Sequence, residues 1–144
     1  MNLRLLVFAE YAAIGQDGKL VIAGITDGLM VNRGPNVPTD GPSRILVPKT
    51  YLVAIIEASL ADGLTHALAL RLIDGNGQAL PELVEIGQHN FTINKFGRPM
   101  QLRLVVEMNG LQLPGPDDYV FQLVVDGEEV GEAPYYVTDV TPAP

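Results

Sequence analysis

The sequence contains no cysteine and no tryptophan. Without thiols, disulfide frameworks, thiolate nucleophiles, zinc ribbons and iron–sulfur sites are excluded, and the redox compartment is left open. Only two serines are present, Ser43 and Ser59, and neither sits in a G-x-S-x-G elbow. Two imidazoles, His66 and His89, leave a histidine-rich zinc or iron site short of ligands, so only a mixed site with carboxylates remains open. Long apolar runs are also missing. The run Leu5 to Ala9 is ended by Glu10, short of a signal-peptide core, and no stretch approaches the 18 or so residues of a membrane span. Bases are few: nine Lys and Arg against seventeen Asp and Glu give a net charge of -8. Such a chain repels phosphate backbones and anionic lipid, so neither nucleic acid nor a membrane surface is the expected partner. A cytoplasmic location is expected.

Breakers are plentiful. Fifteen Gly and eleven Pro are spread through 144 residues as punctuation, and the Gly- and Pro-free windows Met1 to Ile14 and Lys49 to Asp62 are the longest. Strands of 5 to 10 residues fit between such breakers and a helical bundle does not. Alternation of period two supports this at Met100, Leu102, Leu104, Val106 and Met108, at Tyr119, Phe121, Leu123 and Val125, and at His66, Leu68, Leu70 and Leu72. Asp126-Gly127 supplies turn residues for a hairpin into Val130 to Val137, and Gly15-Gln16-Asp17-Gly18 joins Leu3–Ile14 to Lys19–Ile25. Asp74-Gly75-Asn76-Gly77 closes a further strand. Lys49 to Ala58 is apolar on both parities, as a central strand would be, while Glu57 to Asp62 is also compatible with a short helical turn. The apolar parity switches between Val84/Ile86 and Phe91/Ile93, which predicts a bulge at Gly87-Gln88. Asn32 to Pro48 is the one long irregular connection.

These signals predict a single domain over residues 1–144. Its class is all-β: an antiparallel two-sheet sandwich of about eight strands with immunoglobulin-like or related topology, a small β-barrel being the alternative. Pro114-Gly115-Pro116-Asp117-Asp118-Tyr119 resembles a tyrosine corner, although no cysteine pair or core tryptophan supports a true immunoglobulin domain.

A broader resemblance rests on Ala9-Glu10-Tyr11-Ala12, Asp17-Gly18-Lys19-Leu20, Ile22-Ala23-Gly24-Ile25 and Asp27, then Tyr51-Leu52-Val53. A terminal pattern of Pro116, Tyr119, Phe121, Leu123, Val125, Asp126, Gly127 and Glu128 completes it. The chain is similar to an uncharacterised domain-of-unknown-function family of short bacterial proteins. The resemblance implies a β-sandwich and brings no activity, cofactor or site.

Chemistry has few footholds. Ser59, Asp62 and His66 fall around one loop and can be drawn as a triad, but sequence spacing does not establish hydrogen-bond geometry, and an ordinary turn with a strand-end histidine is the simpler reading. His89, among Gln88, Asn90 and Thr92, reads as a surface or edge histidine. Consecutive up-and-down strands would gather Asp17, Asp62, Asp126, Glu128 and Glu129 at one pole, yet no calcium-loop spacing occurs and the Asp-Gly pairs are explained as turns. Gly75-x-Gly77 lacks the third glycine of a dinucleotide loop. No catalytic, cofactor-binding or metal-binding residue is therefore assigned.

What remains is apolar surplus. Mean hydropathy is +0.20, and Val105, Val120 and Val124 stand at positions where a solvated face would be polar. A second covered face follows, covered by a strand, a loop or another subunit. The expected function is that of a non-enzymatic protein-interaction or assembly module. The rival is a sandwich binding a small ligand, glycan or calcium at one pole. Pro134 removes a backbone donor and places the last strand at an edge, with Tyr135 inward and Tyr136 outward. Tyr136 and the loop residue Phe96 are the candidate partner contacts, with a homodimer expected through Tyr136.

Overall fold

The structure, a computed structural model, describes residues 1–32, 44–91 and 99–140, the side chains of 82–85 excepted. Eleven strands occur among them: β1 (Asn2–Ile14), β2 (Leu20–Thr26), β3 (Gly28–Val31), β4 (Ile45–Leu46), β5 (Thr50–Ala58), β6 (Thr65–Ile73), β7 (Ala79–Asn90), β8 (Met100–Met108), β9 (Gln112–Leu113), β10 (Asp117–Val125) and β11 (Glu128–Asp139). Nine of them form two sheets, ordered β2-β1-β5-β8 and β3-β11-β10-β6-β7, and β4 pairs with β9 in a short ladder. The all-β antiparallel sandwich read from the sequence is what forms, with nine strands in its sheets where about eight were expected. One contact, β3 on β11, is parallel. The segment Glu57 to Asp62 resolves into the end of β5 and a 3₁₀ turn at Leu60–Asp62.

Alternation places the core. Phe121 and Leu123 of β10 and Leu68, Leu70 and Leu72 of β6 face Phe8 of β1, Leu52, Ala54 and Ile56 of β5, and Leu102 and Leu104 of β8 in one apolar cluster. Phe8 stands edge-on to Phe121 at 4.9 Å and to Tyr135 at 5.1 Å, the arrangement the ring quadrupole favours. Among the described residues, every buried side-chain nitrogen or oxygen has a partner. Thr50 shows how: its Oγ1 donates to the Ala9 carbonyl at 3.0 Å.

The turn chemistry holds in detail. Asp126 and Gly127 take φ of 51° and 87°, and β10 and β11 pair across them. Tyr119 is buried and its hydroxyl donates to the Gly115 carbonyl at 2.6 Å, so the tyrosine corner is present. The bulge in β7 is one residue earlier than predicted. Leu68 pairs with Gly87 and Ala69 with Glu85, which leaves Ile86 as the extra residue, followed by Gly87 at φ 93°. A left-handed glycine completes a bulge of this kind, whereas Gln88 stays in the ladder opposite Ala67.

The edge assignment also needs correction. The Tyr136 amide donates to the Asp27 carbonyl at 2.7 Å, and the Val140 amide to the Val31 carbonyl at 2.8 Å. Even-numbered amides here point away from β10, and Pro134 stands in the same phase, where a missing donor costs no ladder bond. Before Tyr136, β11 has the edge position that Pro134 implies. From Tyr136 to Asp139 the strand is covered by β3, which itself becomes the edge of the sheet.

The outer face of the four-stranded sheet carries a third layer. Arg103 lies level with Ile55, and Ile55 with Leu5, yet its Nη1 donates to the Gly18 carbonyl at 2.6 Å. Gly18 follows the end of β1, about 30 Å along the strand from Leu5 at 3.4 Å per residue. Contact is possible only if the β1–β2 hairpin doubles back over the sheet. Its bend is marked by Gly24 at φ 68° against the Glu10 side chain, and β1 comes close to β8 across the intervening β5. Beneath the folded hairpin, outward-facing Val53 is 0% exposed and Ala12 is buried. For Val105, which pairs with Val53, the cover lies within the chain; Val120 and Val124 belong to the other sheet.

Candidate interaction face

At one end of the other sheet, large apolar side chains of the described residues face outward and are exposed. In the β3–β11 ladder Val137 neighbours Leu29, and Thr138 neighbours Met30. Val137 belongs to the core and Leu29 and Val31 pack against it, so Tyr136, Thr138 and Met30 face outward. Met30 is 77% exposed, Tyr136 43% and Val140, which extends the same row, 46%. Diagonal neighbours on a sheet lie about 7–8 Å apart, within reach of long side chains, so these three form one apolar patch at the sheet end. Asp118 of β10, opposite Tyr136, is the charged group nearest to it in the ladder. Tyr136 is therefore placed as expected; Phe96, the other candidate contact, lies outside the described residues.

The triad drawn around Ser59, Asp62 and His66 does not assemble. Asp62 turns back on Ser59, accepting from its amide at 2.9 Å and its hydroxyl at 3.1 Å, which closes the 3₁₀ turn. These bonds hold the Asp62 carboxyl below the usual range. His66, 4% exposed, is directed elsewhere: Nδ1 lies 2.5 Å from Asp126 Oδ2 and Nε2 2.9 Å from the Gly63 carbonyl. A ring with both nitrogens engaged offers no free base to a hydroxyl. His89 sits half-buried on β7, an edge strand of its sheet as read from the sequence, with Nε2 3.3 Å from the Ile86 carbonyl.

The acidic pole is dispersed in a similar way. Asp17 accepts from the Lys19 amide within its own turn at 3.0 Å, and Asp126 serves His66 and the Ala67 amide. Among the described residues no three His, Asp or Glu side chains converge as a metal site would require. An apolar cavity of about 90 Å³ opens between Leu70, Leu72, Leu80, Leu111 and Phe121, with Arg44 on its lining. No helix of the described residues is long and apolar enough to cross a membrane.

A family model described as a family of unknown function (DUF6941) matches residues 4–138. The chain belongs to that family. The domain-of-unknown-function resemblance carried by the turn and core residues is thereby borne out. No curated protein matches the chain. In this DUF6941 member the patch residues Met30 and Val140 escape sequence reading. Met30 lies inside the unbroken run Gly28-Leu29-Met30-Val31, where alternation assigns no side, and Val140 follows the last pattern residue. The bond between Asp126 and His66 spans sixty positions and leaves no local signal in the sequence.

Proposed function

We propose that this protein is a non-enzymatic interaction or assembly module working in the cytoplasm, and that a second copy of the chain seats on the Met30–Tyr136–Val140 face. The observation that carries the reading is the adjacency of three exposed large apolar side chains at one sheet end, with the exposed Leu46 beside Met30. Tyrosine and methionine suit such a contact, being enriched where partners exclude water. With a net charge of -8, two copies repel at long range, so an uncharged meeting point is the favourable one and added salt strengthens association. The non-enzymatic part is supported by the engagement of Ser59, Asp62, His66 and Asp126 in turn and strand-end bonds.

Light scattering coupled to size exclusion tests the reading. The wild type is expected to approach the mass of two chains with rising concentration, and Tyr136→Arg and Met30→Lys to shift it toward one chain with an unchanged circular-dichroism spectrum. A one-chain mass at every accessible concentration overturns the dimer, and an unaltered dimer in both variants overturns this face. The cavity below Arg44 favours a second reading, a site for a small apolar ligand, over a glycan or calcium site. Thermal stabilisation by short-chain fatty acids, absent with sugars or calcium, would support it.

A further inference from the structure

The strand-end histidine is more than a satisfied core residue. His66 begins the inward row of β6, stands edge-on to Phe91 at 5.0 Å, and is opposite His89 in the ladder. Its two nitrogens meet two acceptors: a carboxylate from the β10–β11 turn and a carbonyl from the turn that carries the chain from one sheet to the other. A neutral imidazole has a single N–H and can satisfy one of these; the doubly protonated ring satisfies both. We infer that His66, Asp126 and the Ser59–Gly63 turn form a proton-operated latch, closed while the imidazole carries two ring protons and released at the turn when one leaves.

Asp126 is fixed for this task before His66 reaches it. Its Oδ1 accepts from the Ala67 amide at 2.9 Å, and its own amide donates to the Ala67 carbonyl at 2.9 Å. When one proton leaves, the remaining N–H stays with the carboxylate, since a charged acceptor is the stronger one. The Nε2 lone pair then faces the Gly63 carbonyl, and that contact turns repulsive. The groups facing His66 are Asp126 from the β10–β11 turn, Asp62 from the 3₁₀ turn and His89 from β7. Asp62 also lies 3.8 Å from the amino terminus. The hydrogen bond from Asp126 raises the His66 pKa from its ordinary 6.5, outweighing the burial that lowers it; the same bond lowers that of Asp126. The sign follows. A raised histidine stabilises the fold fully below pH 6.5, and this contribution is lost as pH climbs through the folded value. The lowered Asp126 contributes above its ordinary range and loses its effect as pH falls through its depressed value.

Nitrogen-15 NMR of the His66 imidazole reads the latch on the intact chain. At pH 6.5 both His66 nitrogens should show the protonated shift, with a midpoint above the ordinary 6.5. Amide exchange at Asp62 and Gly63, whose N–H groups bond the Ser59 and Leu60 carbonyls, should rise through that midpoint faster than base catalysis alone predicts. Asp126→Asn should lower the midpoint by about one pH unit or more. A single neutral tautomer of His66 at pH 6.5 overturns the inference, as does protection at Asp62 and Gly63 that is unchanged through the midpoint. If Asp126→Asn fails to fold, the wild-type titration decides the matter alone.

Discussion

The two outer faces of this sandwich receive the same kind of apolar excess and treat it differently. On the four-stranded sheet, Val53 points away from the core and is nevertheless sealed, because the β1–β2 hairpin bends at Gly24 and is tied down by Arg103 at Gly18. On the five-stranded sheet, Met30, Tyr136 and Val140 also point away from the core and remain in solvent. A sheet face is buried only where something lies on it, and alternation within one strand says nothing about what lies above. The difference teaches that surplus hydropathy signals a cover without identifying it.

The comparison breaks most sharply with one charge placed on each face. Val53→Asp puts an unpaired carboxylate under the hairpin and is expected to cost about 3–5 kcal/mol or prevent folding, read by urea denaturation. Gly24→Ala comes next. It forces a side chain into the left-handed region at the bend, where an L-residue is disfavoured by about 1–2 kcal/mol, and should speed hydrogen exchange through β2 more than through β10. Arg103→Ala removes the tie at the hairpin tip; a loss under about 1 kcal/mol is expected, with proteolysis near Gly18 accelerated. Tyr136→Lys, the counterpart of the first change, meets Asp118 across the ladder and should stay within about 0.5 kcal/mol of wild type in the same melts. Equal costs at Val53 and Tyr136 would remove the distinction between the faces.

Local features were legible from residue order. The hairpins at Asp17-Gly18 and Asp126-Gly127, the central position of β5 and the hydrogen-bonded Tyr119 all follow from chemistry within a few positions. The bulge shifted by one because parity locates a change of face between Ile86 and Phe91, while the left-handed conformation of Gly87 decides which neighbour is extra. Long-range placements were not legible. That β3 would run parallel to β11, that Asp126 would reach His66, and that Gly18 would meet Arg103 are outcomes of sheet order and curl. The candidate contact Tyr136 was legible as an outward residue because Tyr135 and Val137 fix the inward side; its companion Met30 comes from another part of the chain.

The folded hairpin also imposes an order on synthesis. Gly18 and Arg103 are 85 positions apart, so on the ribosome the cover is made first and the last strand of its seat emerges much later. Until β8 has joined, Arg103 cannot tether the tip, and the outward valine of β5 is open to other chains. A pause in translation before residue 100 would hold the protein in its most adhesive form, and a chaperone acting on this chain would find its work concentrated in that interval.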